Sequence, residues 1–163
     1  MNAQPILLAV ARALRTCDLE AILIGNAAAA LQGAPVTTLD LDFFFRRTPV
    51  NLRKLKALAK KLNAVIYTPY YPVSGLYRLI RDDDSLQLDF MTTIHGIRSF
   101  NSLRSRASRI DLGGEQLLVS DLSDIIASKR AAGRARDRAV LDVLETTLLE
   151  RQTEQGSKPP KGS

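Results

Sequence analysis

The chain has 163 residues, 45% of them hydrophobic and 25% charged, with a net charge of +6. That suits one domain with its own core and excludes collagenous, disordered and membrane-spanning compositions. Cys17 and His95 are the only cysteine and histidine, which excludes an internal disulfide and a thiolate or imidazole zinc site and leaves oxygen to ligate any metal.

In chain order, Ile6, Leu7, Val10 and Leu14 repeat at helical spacing after Pro5, predicting a first helix from Pro5 to Leu14. The start, MNAQPILLAVARALR, has no basic leader and no small-residue cleavage site, and no apolar stretch approaches the roughly 20 residues that cross a bilayer. A cytoplasmic protein without a membrane partner is expected. Ala21 to Ile24 reads as a buried strand ending at Gly25, with Asn26 capping an alanine-rich helix to Leu31. Thr37 to Phe45 is rich in β-branched and aromatic residues and predicts a strand. Pro49 and Asn51 open an amphipathic helix to Leu62, and Ala64 to Tyr67 predicts another strand.

Leu76–Arg81 and Leu86–Met91 flank an acidic turn and predict a hairpin. Ser102 to Ala107 predicts a short helix, and 109–112 with 116–119 a second hairpin around Gly113 and Gly114. Ser120 or Asp121 caps a helix to about Ala131, and a last helix runs from Ala135 to Glu150. The expected organisation is one domain over residues 1–151, α+β, with a mixed sheet flanked by helices and two C-terminal helices. Residues 152–163, ending in EQGSKPPKGS, are expected to form a disordered tail.

Chemistry concentrates in three segments. On a strand alternate residues share a face, so Asp40 and Asp42 point together while Leu41 and Phe43 turn to the core. Gln87-Leu88-Asp89-Phe90 repeats that alternation, and pairing of the two strands brings a third carboxylate to the patch. Three anionic groups together raise one another's pKa unless a cation separates them, and Mg²⁺ or Mn²⁺ favours such oxygen ligands. Gly25 and Asn26 sit where a strand turns into a helix, where a backbone without a side chain admits a phosphate. Lys129 falls on the stripe Leu122, Ile125, Ile126 and therefore on the inner face of its helix, while Asp137 lies in the first turn of the last helix. His95 reads as an ordinary loop histidine and Asp82 to Asp84 as a solvated turn. Tyr67, Tyr70, Tyr71 and Tyr77 suit either base stacking or packing.

The order of strand, Gly25-Asn26, small-residue helix, Asp40-Leu41-Asp42 and a later strand carrying Asp89 resembles the nucleotidyltransferase superfamily that includes DNA polymerase β. The segment Asp121-Leu122-Ser123-Asp124-Ile125-Ile126-Ala127-Ser128-Lys129-Arg130, followed by Gly133-Arg134-Ala135-Arg136-Asp137, is similar to the C-terminal motif of abortive-infection-type nucleotidyltransferases. The resemblance implies that Asp40, Asp42 and Asp89 bind two magnesium ions and that Asp89 helps activate the acceptor. It implies that Gly25 and Asn26 hold the triphosphate of an NTP, with Lys129, accompanied by Asp137, neutralising its charge. Asn26 departs from the Ser or Gly usual at that place.

The expected reaction is transfer of NMP from an NTP to an acceptor hydroxyl. The basic residues, among them Arg98, Arg104, Arg106, Arg109, Arg130, Arg136 and Arg138, favour an RNA end as acceptor. The resemblance implies a toxin with a cognate antitoxin protein as partner. The alternative, favoured by Asn26, is a catalytically silent protein of the same fold that binds nucleotide, RNA or a partner protein.

Overall fold

In the computed structural model the described residues are 4–37, 40–68 and 75–157. The elements are α1 (Gln4–Thr16), β1 (Ile22–Ile24), α2 (Gly25–Leu31), β2 (Leu41–Phe44), α3 (Pro49–Lys61), β3 (Val65–Tyr67), β4 (Leu76–Arg81), β5 (Leu86–Met91), α4 (Phe100–Arg106), β6 (Ser108–Asp111), β7 (Gln116–Val119), α5 (Leu122–Ala132) and α6 (Ala135–Ser157). The strands form one seven-stranded mixed sheet in the order β3-β4-β5-β2-β1-β7-β6. β2 runs antiparallel to β1 and parallel to β5, and β1 runs parallel to β7. This is the α+β fold with a mixed sheet and C-terminal helices that the sequence predicts.

Local chemistry sets the helix starts. Thr48 accepts from the Asn51 N–H with Pro49 in the first turn of α3, Ser99 accepts from Ser102, and Asp121 accepts from Ser123. Ser99 therefore starts α4 at Phe100, ahead of the predicted Ser102. Asn26 does not cap α2: the helix begins at Gly25, its N-cap position is Ile24, and no side chain caps it.

The alternation of the strands sorts the core into two faces. Leu41, Phe43, Leu79, Leu88 and Phe90 look into the main core with residues of α1, α2, α3, α5 and α6, and Phe43 stacks on Phe90 with centroids 5.0 Å apart. On the other face Ile22, Ile24 and Phe44 pack under Phe100 and Leu103 of α4, a much smaller cluster.

Two expectations change. The last helix continues to Ser157, past the predicted start of the disordered tail at Gln152. Gln152, Thr153, Glu154 and Gln155 extend it by simple propagation on an exposed helix, which needs no apolar anchor once nucleated. Residues 158–163 of that predicted tail, and Tyr70 and Tyr71, lie outside the described residues. β2 begins only at Leu41, so Asp40 precedes the strand and is exposed; Thr38 and Leu39 lie outside the described residues.

Candidate active site

Strand register builds the centre of the site. Arg78 of β4, Asp89 of β5, Asp42 of β2 and Ile24 of β1 are successive cross-strand partners, forming one row on the face opposite the main core. Exposed Tyr67 ends the row on the edge strand β3. Gly25 follows Ile24 directly with φ +67°, and a Cβ there would stand 3.1 Å from Asp42 Oδ2. A side chain at that place meets both an unfavourable backbone region and the carboxylate itself.

Asp42 is the electrostatically strained member. Burial first, then the neighbouring charges of Asp89 and Asp40, push its carboxyl up to about 6, against the pull of Lys129 and Arg134. Such a carboxylate gains most from an added cation. Asp89 is buried rather than facing solvent as its alternation suggests, and it is already answered: Arg78 Nε donates to Oδ1 at 2.9 Å and Nη2 to Oδ2 at 3.1 Å. Among the described residues no three Asp, Glu, His or Cys side chains gather closely enough to hold a metal ion. Of the three carboxylates expected to converge, Asp40 and Asp89 both lie close enough to act on Asp42 through their charge. Asp42 and Asp89 share a row, but both Asp89 oxygens turn to Arg78.

The C-terminal helices supply positive charge. Lys129 Nζ lies 3.5 Å from Asp137 Oδ1 and Arg134 Nε 2.7 Å from Oδ2, with the Lys129 and Asp137 side chains only 13% and 4% exposed. Burial pushes the Asp137 carboxyl up, but the Arg134 hydrogen bond and the charges of Lys129 and Arg134 outweigh it and hold it low. Asp137 so fixes two cations whose fields reach Asp42. Behind them Arg106 of α4 donates to buried Asp124 of α5 at 2.8 Å. The turn before α4 packs tightly on α5: a Cβ at Gly96 would stand 2.9 Å from the Ala127 carbonyl oxygen.

These elements surround a cavity of about 90 Å³ whose lining includes Gly25, Asp42, Lys129, Arg134, Ile94 and Ile125. Asn26 Oδ1 is buried without a hydrogen-bond partner among the described residues, which costs free energy until a ligand or solvent answers it. Two larger clefts, of about 450 and 390 Å³, contain none of Asp40, Asp42, Asp89 and Lys129.

Over residues 3–157 the sequence matches the family described as nucleotidyl transferase of unknown function (DUF2204). The chain belongs to this nucleotidyltransferase family. Among solved structures it is similar to a candidate nucleotidyltransferase from Thermotoga maritima, at 16% identity and TM-score 0.60, covering 85% of this chain and 89% of that one. It is similar to ANT(2")-Ia in complex with adenylyl-2"-tobramycin, at 12% identity and TM-score 0.63, covering 94% of each chain. It is also similar to the lincomycin-bound lincosamide antibiotic adenylyltransferase LnuA, at 9% identity and TM-score 0.63, covering 90% and 98%. At such identities the likeness is one of fold. No curated protein matches the sequence at a significant level.

Two residues of this nucleotidyltransferase-family site escape the sequence reading. Arg134 lies three residues before Asp137 on one turn, a spacing that pairs charges. Arg78 was legible in principle, because the register of the hairpin sets it opposite Asp89. His95 is exposed in the turn before α4, and Asp84 pairs with Arg81.

Proposed function

We propose that the chain transfers a nucleoside monophosphate from an NTP to an acceptor hydroxyl in a reaction that depends on Mg²⁺ or Mn²⁺. The observation that carries this is Asp42: a half-buried carboxylate pushed up to about 6, set against Gly25 and within the fields of Lys129 and Arg134. In this reading Asp40 and Asp42 hold the ion, and Asp89 joins them. When bound, a divalent ion supplies charge neutralisation for the triphosphate and lowers the pKa of the acceptor hydroxyl.

The chain's own residues do the rest. Gly25 leaves backbone room for a phosphate beside Asp42, and the Asn26 Oδ1 suits a hydrogen-bond donor of the nucleotide. Lys129, steadied by Asp137, and Arg134 counter the negative charge that grows on the pyrophosphate as the acceptor oxygen bonds to the α-phosphorus. The cavity of about 90 Å³ is too small to enclose a nucleotide, so the NTP lies across its mouth.

The net charge of +6 supports an RNA end as acceptor. A small hydroxyl compound is the second reading, because Arg104, Arg106, Arg130 and Arg134 are engaged by Glu20, Asp124, Glu145 and Asp137. That leaves less free positive charge for a polyanion. The similar folds that carry adenylyl-tobramycin or lincomycin support the same second reading. A toxin role with an antitoxin partner rests on the sequence resemblance alone.

The test incubates the chain with each α-labelled NTP and Mg²⁺, with total RNA in one arm and hydroxyl-bearing small molecules in the other. Label transfer is expected in one arm, and Asp40→Asn with Asp42→Asn is expected to abolish it without loss of fold. Nucleotide binding without pyrophosphate release would select the catalytically silent alternative.

A further inference from the structure

Of the two carboxylates paired in register, Asp89 is the one with a dedicated cation. The Arg78 guanidinium meets it fork to fork through two hydrogen bonds of 2.9 and 3.1 Å, a geometry that satisfies planar partners well. The two ends of the pair differ in freedom. The Asp89 side chain is 8% exposed on an interior strand, whereas Arg78 is 41% exposed and borders exposed Tyr67 at the sheet edge. Only the arginine is free to leave.

An ion arriving at Asp42 therefore meets a third carboxylate whose oxygens are both engaged and a like charge beside it. With Arg78 in place, the Arg78–Asp89 pair is neutral and the approaching ion is drawn by Asp40 and Asp42 alone. With Arg78 withdrawn, a third negative charge becomes available.

We infer that Arg78 is a positioning residue that holds Asp89 as its resident counter-ion, and that Asp89 becomes a metal ligand only when Arg78 swings out toward Tyr67. The inference rests on the metal-dependent reading above. It makes ion binding in the nucleotide-free protein weaker than the number of carboxylates implies, because recruiting the third ligand requires breaking a two-point ion pair.

The experiment measures Mn²⁺ binding to the nucleotide-free protein by calorimetry and by the loss of free-ion electron paramagnetic resonance signal. Arg78→Met, close in length and uncharged, is expected to bind Mn²⁺ at least tenfold more tightly than the unaltered chain. Asp89→Asn, which leaves the Arg78 charge unanswered, is expected to bind Mn²⁺ more weakly than the unaltered chain, and the Arg78→Met, Asp89→Asn double variant to lose the gain and return to within about twofold of it. Equal affinity in the unaltered chain and Arg78→Met, or a gain that survives in the double variant, overturns the inference. Circular dichroism checks folding; if Arg78→Met does not fold, Arg78→Lys, which keeps the charge but not the fork, must bind Mn²⁺ more tightly than the unaltered chain or the inference fails. Equal affinities beside intact Asp42-dependent label transfer sink this inference alone. Absence of Mn²⁺ binding in every variant sinks the metal-dependent reading with it.

Discussion

Asp42 and Asp89 are Cα partners in parallel register on β2 and β5, yet among the described residues only Asp89 of the two is hydrogen-bonded to an arginine. The consequence is an uneven pair: one carboxylate is neutralised by Arg78, and the other carries an elevated pKa of about 6.

Stability should report that asymmetry. The Asp42 carboxyl sits at about 6 in the folded protein against an ordinary 3.8, so between about pH 4 and 6 the folded protein binds a proton that the unfolded chain does not. Stability therefore falls as pH rises through this window, by at most on the order of 3 kcal/mol. Asp42→Asn is expected to remove this contribution to the slope and to be the more stable protein at pH 7. Urea midpoints at pH 4.5 and 7 check it, and identical pH slopes for both proteins would refute it.

Gly25→Ala is expected to destabilise the fold by about 1–2 kcal/mol from its positive φ alone. It should also displace the Asp42 carboxylate from the new methyl group and lower label transfer by roughly tenfold to a hundredfold. Chemical denaturation and single-turnover transfer measure the two effects separately. Undiminished transfer in a folded Gly25→Ala protein would show that the close approach of Gly25 and Asp42 is not needed.

Lys129→Met removes one of the two cations that face Asp137 and leaves its ion pair with Arg134. A stability loss of about 1–2 kcal/mol is expected. A larger effect should appear in NTP affinity, since the methionine keeps the packed stem and removes the charge. Nucleotide titration at constant Mg²⁺ checks this; unchanged affinity would confine Lys129 to a structural role.

Truncation after Arg151 removes the final part of α6, whose residues from Gln152 to Gly156 are exposed. The Arg151 contact with Gln32 Oε1 at 3.1 Å stays in place. The thermal midpoint is expected to move by less than about 2 °C, which corresponds to under roughly 0.5 kcal/mol. A larger drop would show that the last turns of α6 support the domain.

Much of the architecture was written locally. Thr48, Ser99 and Asp121 each offer a side-chain acceptor to the opening turn of a helix, and the alternation of Leu88, Asp89 and Phe90 assigns one face to the core whatever the neighbours are. Gly113 and Gly114 close the β6–β7 turn by donating to Asp111 Oδ1, again within a few residues. The end of α6 was less legible, because a polar helix carried on by propagation has no apolar stripe to mark its length.

The sequence by itself determined that Asp42 and Asp89 each turn away from the hydrophobic neighbours on their own strands, that Lys129 falls on the apolar stripe of its helix, and that Gly25 sits at a strand-to-helix turn, since each follows from backbone periodicity. Only the tertiary structure decided which charges meet. The Arg78–Asp89 pair lies within one hairpin, but the meeting of Asp42 with Asp89 depends on strand order, register and desolvation across a long sequence separation, so the strain on Asp42 appears only once β5 and β2 lie side by side.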